Sequence, residues 1–68
     1  MTAKQKANEL VDRYVEYVEA YSSQGQIENA KICALIVVEE MIDVTYAATR
    51  STYEYWQDVK REIKAIQS

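Results

Sequence analysis

Histidine, proline and phenylalanine are absent from this chain, and glycine and cysteine occur once each, as Gly25 and Cys33. Each absence closes a route. Without histidine, a zinc site of the usual Cys/His type is excluded, and so is the Glu-x-x-His motif of helical di-metal proteins. A lone cysteine forbids an intramolecular disulfide. No proline and one glycine leave few places where a helix must break. No apolar run approaches the roughly 20 residues that span a bilayer, so no membrane partner is expected. Met1-Thr2-Ala3-Lys4 leads into no apolar stretch, so no secretory signal is expected either. A free cysteine without a signal fits a reducing cytoplasm.

What remains is 68 residues rich in helix formers, with 8 basic and 11 acidic side chains and a net charge of −3. That length allows one domain, residues 1–68. A chain of this size buries only about 60% of its unfolded surface and is marginal alone. Disulfides, metals and oligomerisation are the usual remedies, and only the last is open here. The acidic balance argues against a nucleic-acid partner. A helix-turn-helix reading also fails, because the third predicted helix carries its basic residues late rather than early.

Three helices are predicted, over about residues 3–22, 26–48 and 52–66, forming an all-α, three-helix antiparallel bundle. Thr2 and Gln5 have capping-box spacing at the first start. Ala7, Val11, Tyr14, Val18 and Tyr21 recur on one face, widened by Leu10, Val15 and Tyr17. Gly25 is expected to end the first helix in a left-handed turn. In the second helix, Ala30, Ala34, Val37, Met41, Val44 and Ala48 form the expected seam. Ser51 and Glu54 form the expected capping box of the third helix. Its stripe is Trp56, Val59, Ile63 and Ile66, with Tyr55 on the border.

The run Ile32-Cys33-Ala34-Leu35-Ile36-Val37-Val38 is apolar all round a helix, which calls for burial all round. A strand is the alternative for so β-branched a run. The helical pattern continues through Glu28-Asn29-Ala30-Lys31 before it and Glu39-Glu40-Met41 after it, which favours the helix. Stepping 100° per residue places Ile32 and Ile36 among Glu28, Glu39, Glu40 and Asp43. Ile32, Leu35 and Ile36 are therefore the expected junction of a homo-oligomer formed through the second helix.

Few side chains suggest chemistry. Cys33 lies in the apolar run with no histidine to activate it, and reads as a core residue. Glu39, Glu40 and Asp43 read as a solvated face or intersubunit ion pairs, because no calcium loop surrounds them. No metal, cofactor or catalytic residue is expected, and the chain is not expected to be an enzyme. One constellation suggests a ligand. Tyr53, Gln57, Lys60 and Lys64 share a strip of the third helix beside Trp56, with Arg50 just ahead of it. Aromatics beside cations can stack a base and neutralise a phosphate. In pockets expected between subunits, the binding set is Tyr17, Arg50, Tyr53, Gln57 and Lys60, for a small anionic nucleotide.

Three stretches carry a family resemblance. They are Lys6-Ala7-Asn8-Glu9-Leu10-Val11-Asp12, then Ala30-Lys31-Ile32-Cys33-Ala34-Leu35-Ile36-Val37-Val38-Glu39-Glu40-Met41-Ile42, and Tyr55-Trp56-Gln57-Asp58-Val59-Lys60-Arg61-Glu62-Ile63. Together they resemble small helical proteins encoded by phages and prophages of gut-type bacteria. The resemblance implies the neighbourhood of phage anti-defence proteins acting in the bacterial host cytoplasm. Some of these are oligomeric sponges that sequester nucleotide-derived immune signals. Others are helical inhibitors or adaptors that act on a host defence protein by direct contact. No catalytic motif accompanies the group.

Overall fold

The Thr2 side chain accepts a hydrogen bond from the Gln5 backbone N–H at 3.1 Å, while the Gln5 side chain accepts one from the Thr2 N–H at 2.9 Å. This reciprocal box satisfies two donors that a helix start would otherwise leave open, and it opens α1, Ala3–Val15. The computed structural model describes residues 1–18 and 22–66. Two further helices follow, α2 over Ser23–Thr45 and α3 over Arg50–Ala65, and all three pack on one another. No strand occurs among the described residues, so the apolar run is helical.

The predicted element order is borne out, but the boundaries shift. α1 stops at Val15, short of the expected residue 22. Residues 19–21, including the expected seam residue Tyr21, lie outside the described residues. α2 begins before Gly25, not after it. Ser22 is its N-cap, in extended backbone, and its hydroxyl accepts from the Gly25 N–H at 3.0 Å. Gly25 therefore sits in the first turn of a helix, with no positive φ. A serine cap supplies the missing acceptor without a left-handed residue, so the glycine is not needed as a stop.

The third start is corrected in the same way. Thr49 is the N-cap of α3, and its hydroxyl accepts from the Thr52 N–H at 3.3 Å. Ser51 lies inside the helix, and Glu54 pairs with Arg50 at 3.0 Å instead of closing a box with Ser51. A competent cap two residues earlier starts the helix first and leaves Ser51 inside it, and the i,i+4 arginine claims the glutamate.

Hydrogen bonds fix how the helices run. Gln26 Nε2 donates to the carbonyls of Val15 at 2.6 Å and Val18 at 3.5 Å, so α2 returns antiparallel beside α1. Lys31 Nζ donates to the Ile66 carbonyl at 2.7 Å, and Lys60 pairs with Glu39, so α3 runs antiparallel to α2. Since α1 and α3 each run antiparallel to α2, they are parallel to one another, and Lys4 and Asn8 of α1 line a groove with Glu62, Ala65 and Ile66 of α3.

The core holds Ala7, Leu10 and Val11 from α1, Ala30, Ala34, Val38 and Ile42 from α2, and Val59 and Ile63 from α3. Ala30 and Ala34 are fully buried and let neighbouring backbones approach closely. The expected seam of α2 departs from this after Ala34. The buried line continues through Val38, Ile42 and Thr45, while Val37 and Met41 are half-buried and Val44 and Ala48 are exposed.

Helix length explains the change. α1 has 13 residues, about 20 Å at the helical rise, whereas the molecule is 41 Å long. Counting equal rise from the Gln26–Val15 contact puts Ala3 opposite about Val38. Beyond that height α2 has only α3 beside it, and the buried line swings toward α3. Thr45, buried on that line, donates its hydroxyl proton to the Met41 carbonyl at 2.7 Å. No helix among the described residues is long and apolar enough to cross a membrane.

Candidate functional site

The strip expected on α3 is present. Because α3 starts at Arg50, Tyr53, Gln57, Lys60 and Lys64 recur at steps of three and four and share a face. Gln57 Nε2 donates to the Tyr53 hydroxyl at 2.9 Å, which fixes both side chains on successive turns. The Tyr53 ring packs edge-on against Tyr46, with centroids 5.6 Å apart and planes at 79°, the favoured geometry for an aromatic pair. Gln57, Lys60, Arg61 and Lys64 line an open groove of about 290 Å³.

The cations of that groove are not equally available. Lys60 Nζ forms an ion pair with Glu39 of α2, and Arg61 pairs with Asp58 at 3.2 Å. Lys64 has no carboxylate partner among the described residues. Exposed pairs of this kind are weak, worth at most about 1 kcal/mol, so Lys60 and Arg61 can be recruited by a stronger anion.

One member of the expected set, Tyr17, lies elsewhere in a single chain. Tyr17 follows α1 at the end where Gln26 meets Val15, is 79% exposed, and stands at the opposite end of the bundle from Tyr53. Arg50 opens α3 one turn before Tyr53 on the same strip, with its guanidinium on Glu54. One protomer therefore gathers Arg50, Tyr53, Gln57 and Lys60 along α3 and leaves Tyr17 apart. Arg61 belongs to the groove and was not in the expected set. The signal for it was simply a second base beside Lys60, one turn before Lys64.

The expected junction residues divide as well. Ile32 and Ile36 are 56% and 59% exposed, on a face that also bears exposed Glu28, Glu39, Glu40 and Asp43. Leu35 instead is half-buried and packs against the chain's own core. Cys33 is half-buried.

Two further large apolar side chains, unforeseen in the sequence, are exposed on α2 beyond the start of α1: Val44 and Tyr46 are 72% and 76% exposed, and Tyr46 meets the half-buried Tyr53. Tyr55 and Trp56 meet edge-on at 5.4 Å. The signal that could have revealed this end is the difference in helix length, because nothing on α1 reaches beyond Ala3.

No group of His, Cys, Asp or Glu side chains among the described residues could hold a metal ion. Comparison with protein-family models, with curated proteins and with solved structures finds no match for the chain.

Proposed function

We propose that this chain is a non-enzymatic binding protein that works as a homo-oligomer and acts on a partner protein by direct contact. The observation that carries the reading is a pair of large apolar side chains left largely exposed near the end of α2, Val44 and Tyr46, with Tyr46 edge-on to Tyr53 of α3. Tyrosine is among the side chains that dominate protein contacts. The resemblance to phage and prophage proteins supports a bacterial defence protein as the target, met in the host cytoplasm.

A tagged chain incubated with host lysate should retain one protein in stoichiometric amount. Val44→Asp should release it while the helical circular dichroism signal is unchanged. A wild-type chain that retains nothing, or a complex indifferent to Val44→Asp, counts against this reading.

The α3 strip favours a second reading, sequestration of a small anionic nucleotide signal in pockets of the homo-oligomer. Arg50, Tyr53, Gln57 and Lys60 stand together along α3, and Lys64 adds a charge with no carboxylate partner among the described residues. In this reading Tyr17 reaches the pocket from a neighbouring copy. Two of the strip's cations already face carboxylates, Glu39 and Asp58, which weighs toward the protein-contact reading. Calorimetry against cyclic dinucleotides, cyclic trinucleotides and ADP-ribose derivatives separates the two, since only the second reading expects heat.

A further inference from the structure

Three of the chain's eight basic residues, Lys60, Arg61 and Lys64, fall close together in the second half of α3. With Gln57 they stand at positions i, i+3, i+4 and i+7, so all four share one face over two turns. They line the open groove of about 290 Å³. Glu62, the acidic residue among them, is turned away and lines the separate groove with Lys4 and Asn8 of α1. Glu39 and Asp58 are the carboxylates that pair with these bases. Cations thus outnumber carboxylates here, in a chain whose net charge is −3.

The two carboxylates leave most of the donors open. Glu39 meets Lys60 through one oxygen, and Asp58 meets Arg61 through the Nη1 nitrogen. An ammonium has three N–H donors and a guanidinium has five. Lys64 has no carboxylate partner among the described residues. Gln57 Nε2 gives one of its two hydrogens to the Tyr53 hydroxyl and keeps the other. The ion pairs therefore orient Lys60 and Arg61 without saturating them.

This donor set selects the chemistry of a ligand. A monocarboxylate would replace one carboxylate by another on the same cation and gain little, since exposed pairs of this kind are worth at most about 1 kcal/mol. A phosphate dianion brings twice the charge and three acceptor oxygens, and it takes a guanidinium bidentately.

We propose that this face of α3 is a phosphate subsite, in which Lys60, Arg61 and Lys64 hold the phosphate dianion of a small ligand and Gln57 donates to it. One chain supplies the whole subsite, and Glu39 competes with the phosphate for Lys60. The inference rests on the nucleotide reading and says which part of the ligand α3 holds.

The test titrates inorganic phosphate into the isotope-labelled chain at constant ionic strength and follows the amide chemical shifts. Shifts should cluster at residues 57–64 and include the Gln57 side-chain amide, and acetate should produce no such cluster. Lys64→Gln should weaken binding by up to about fivefold, and Glu39→Gln should tighten it by a similar factor. Lys4→Gln, in the other groove, should leave it unchanged. Shifts scattered over every basic residue, equal weakening by Lys64→Gln and Lys4→Gln, or no tightening by Glu39→Gln would mean an adventitious ion only and overturn the subsite. Phosphate bound here while no nucleotide binds more tightly keeps the subsite and removes the nucleotide reading. Nucleotide binding whose shifts avoid residues 57–64 keeps that reading and overturns the subsite.

Discussion

Lys31 spans the bundle to donate a 2.7 Å hydrogen bond to the backbone carbonyl of Ile66, the C-cap of α3. Its side chain is only 13% exposed, so the stem packs inside while the ammonium closes a helix end. A cation at the last carbonyls of a helix also complements its dipole. Lys31→Met keeps the stem and removes the bond. It should cost about 1.5–3 kcal/mol, the range for a bond made by a charged group. Thermal denaturation gives the loss, and amide exchange should show it concentrated in the last turn of α3.

The helix starts give opposite expectations for two neighbouring residues. Gly25 has a negative φ inside α2, so Gly25→Ala should stabilise the chain by about 0.5–1 kcal/mol. A left-handed Gly25 would make the same substitution destabilising. Ser22→Ala removes the cap and should cost about 1 kcal/mol. Urea denaturation of the two variants reads both signs.

Thr49 and Ser51 separate in the same manner. Thr49→Ala should cost about 1 kcal/mol, because it leaves the Thr52 N–H without its acceptor. Ser51→Ala, inside the helix, should stay within about 0.5 kcal/mol. Equal losses at both positions would contradict the observed start of α3.

Ile42 and Val44 test the swing of the buried line in α2. Ile42 is 8% exposed and Val44 is 72% exposed. Ile42→Ala should cost about 2–5 kcal/mol, a large share of the roughly 3–10 kcal/mol expected for a chain this long. Val44→Ala should change folding stability by no more than about 0.5 kcal/mol. Chemical denaturation of each variant decides between this line and one through Val44.

The sequence made the helices, their order and much of the core legible, because periodicity is local. Ala7, Val11, Ala30, Ala34, Val59 and Ile63 follow from spacing alone, and Thr2 with Gln5 follows from a capping pattern three residues long. The starts at Ser22 and Thr49 were missed because a more prominent signal stood nearby, Gly25 in one case and Ser51 with Glu54 in the other. Which of two adjacent caps is used depends on what the rest of the helix packs against. The error at Val37, Met41 and Val44 has a tertiary origin. Spacing on α2 does not record that α1 begins only near the height of Val38. Within the binding set, Tyr53, Gln57 and Lys60 were legible because one helix carries them. The wide separation of Tyr17 depends on helix lengths and on how the chain turns.

The central claim is that exposed isoleucine on α2 marks a junction between copies, and one variant tests it most directly. Ile36→Asp adds a carboxylate beside Glu39 and Glu40 at an exposed site, so the monomer fold should survive. Sedimentation equilibrium should find wild type associated and Ile36→Asp monomeric, with matching helical circular dichroism signals. An associated Ile36→Asp variant, or a wild-type chain that is already monomeric, would contradict the account.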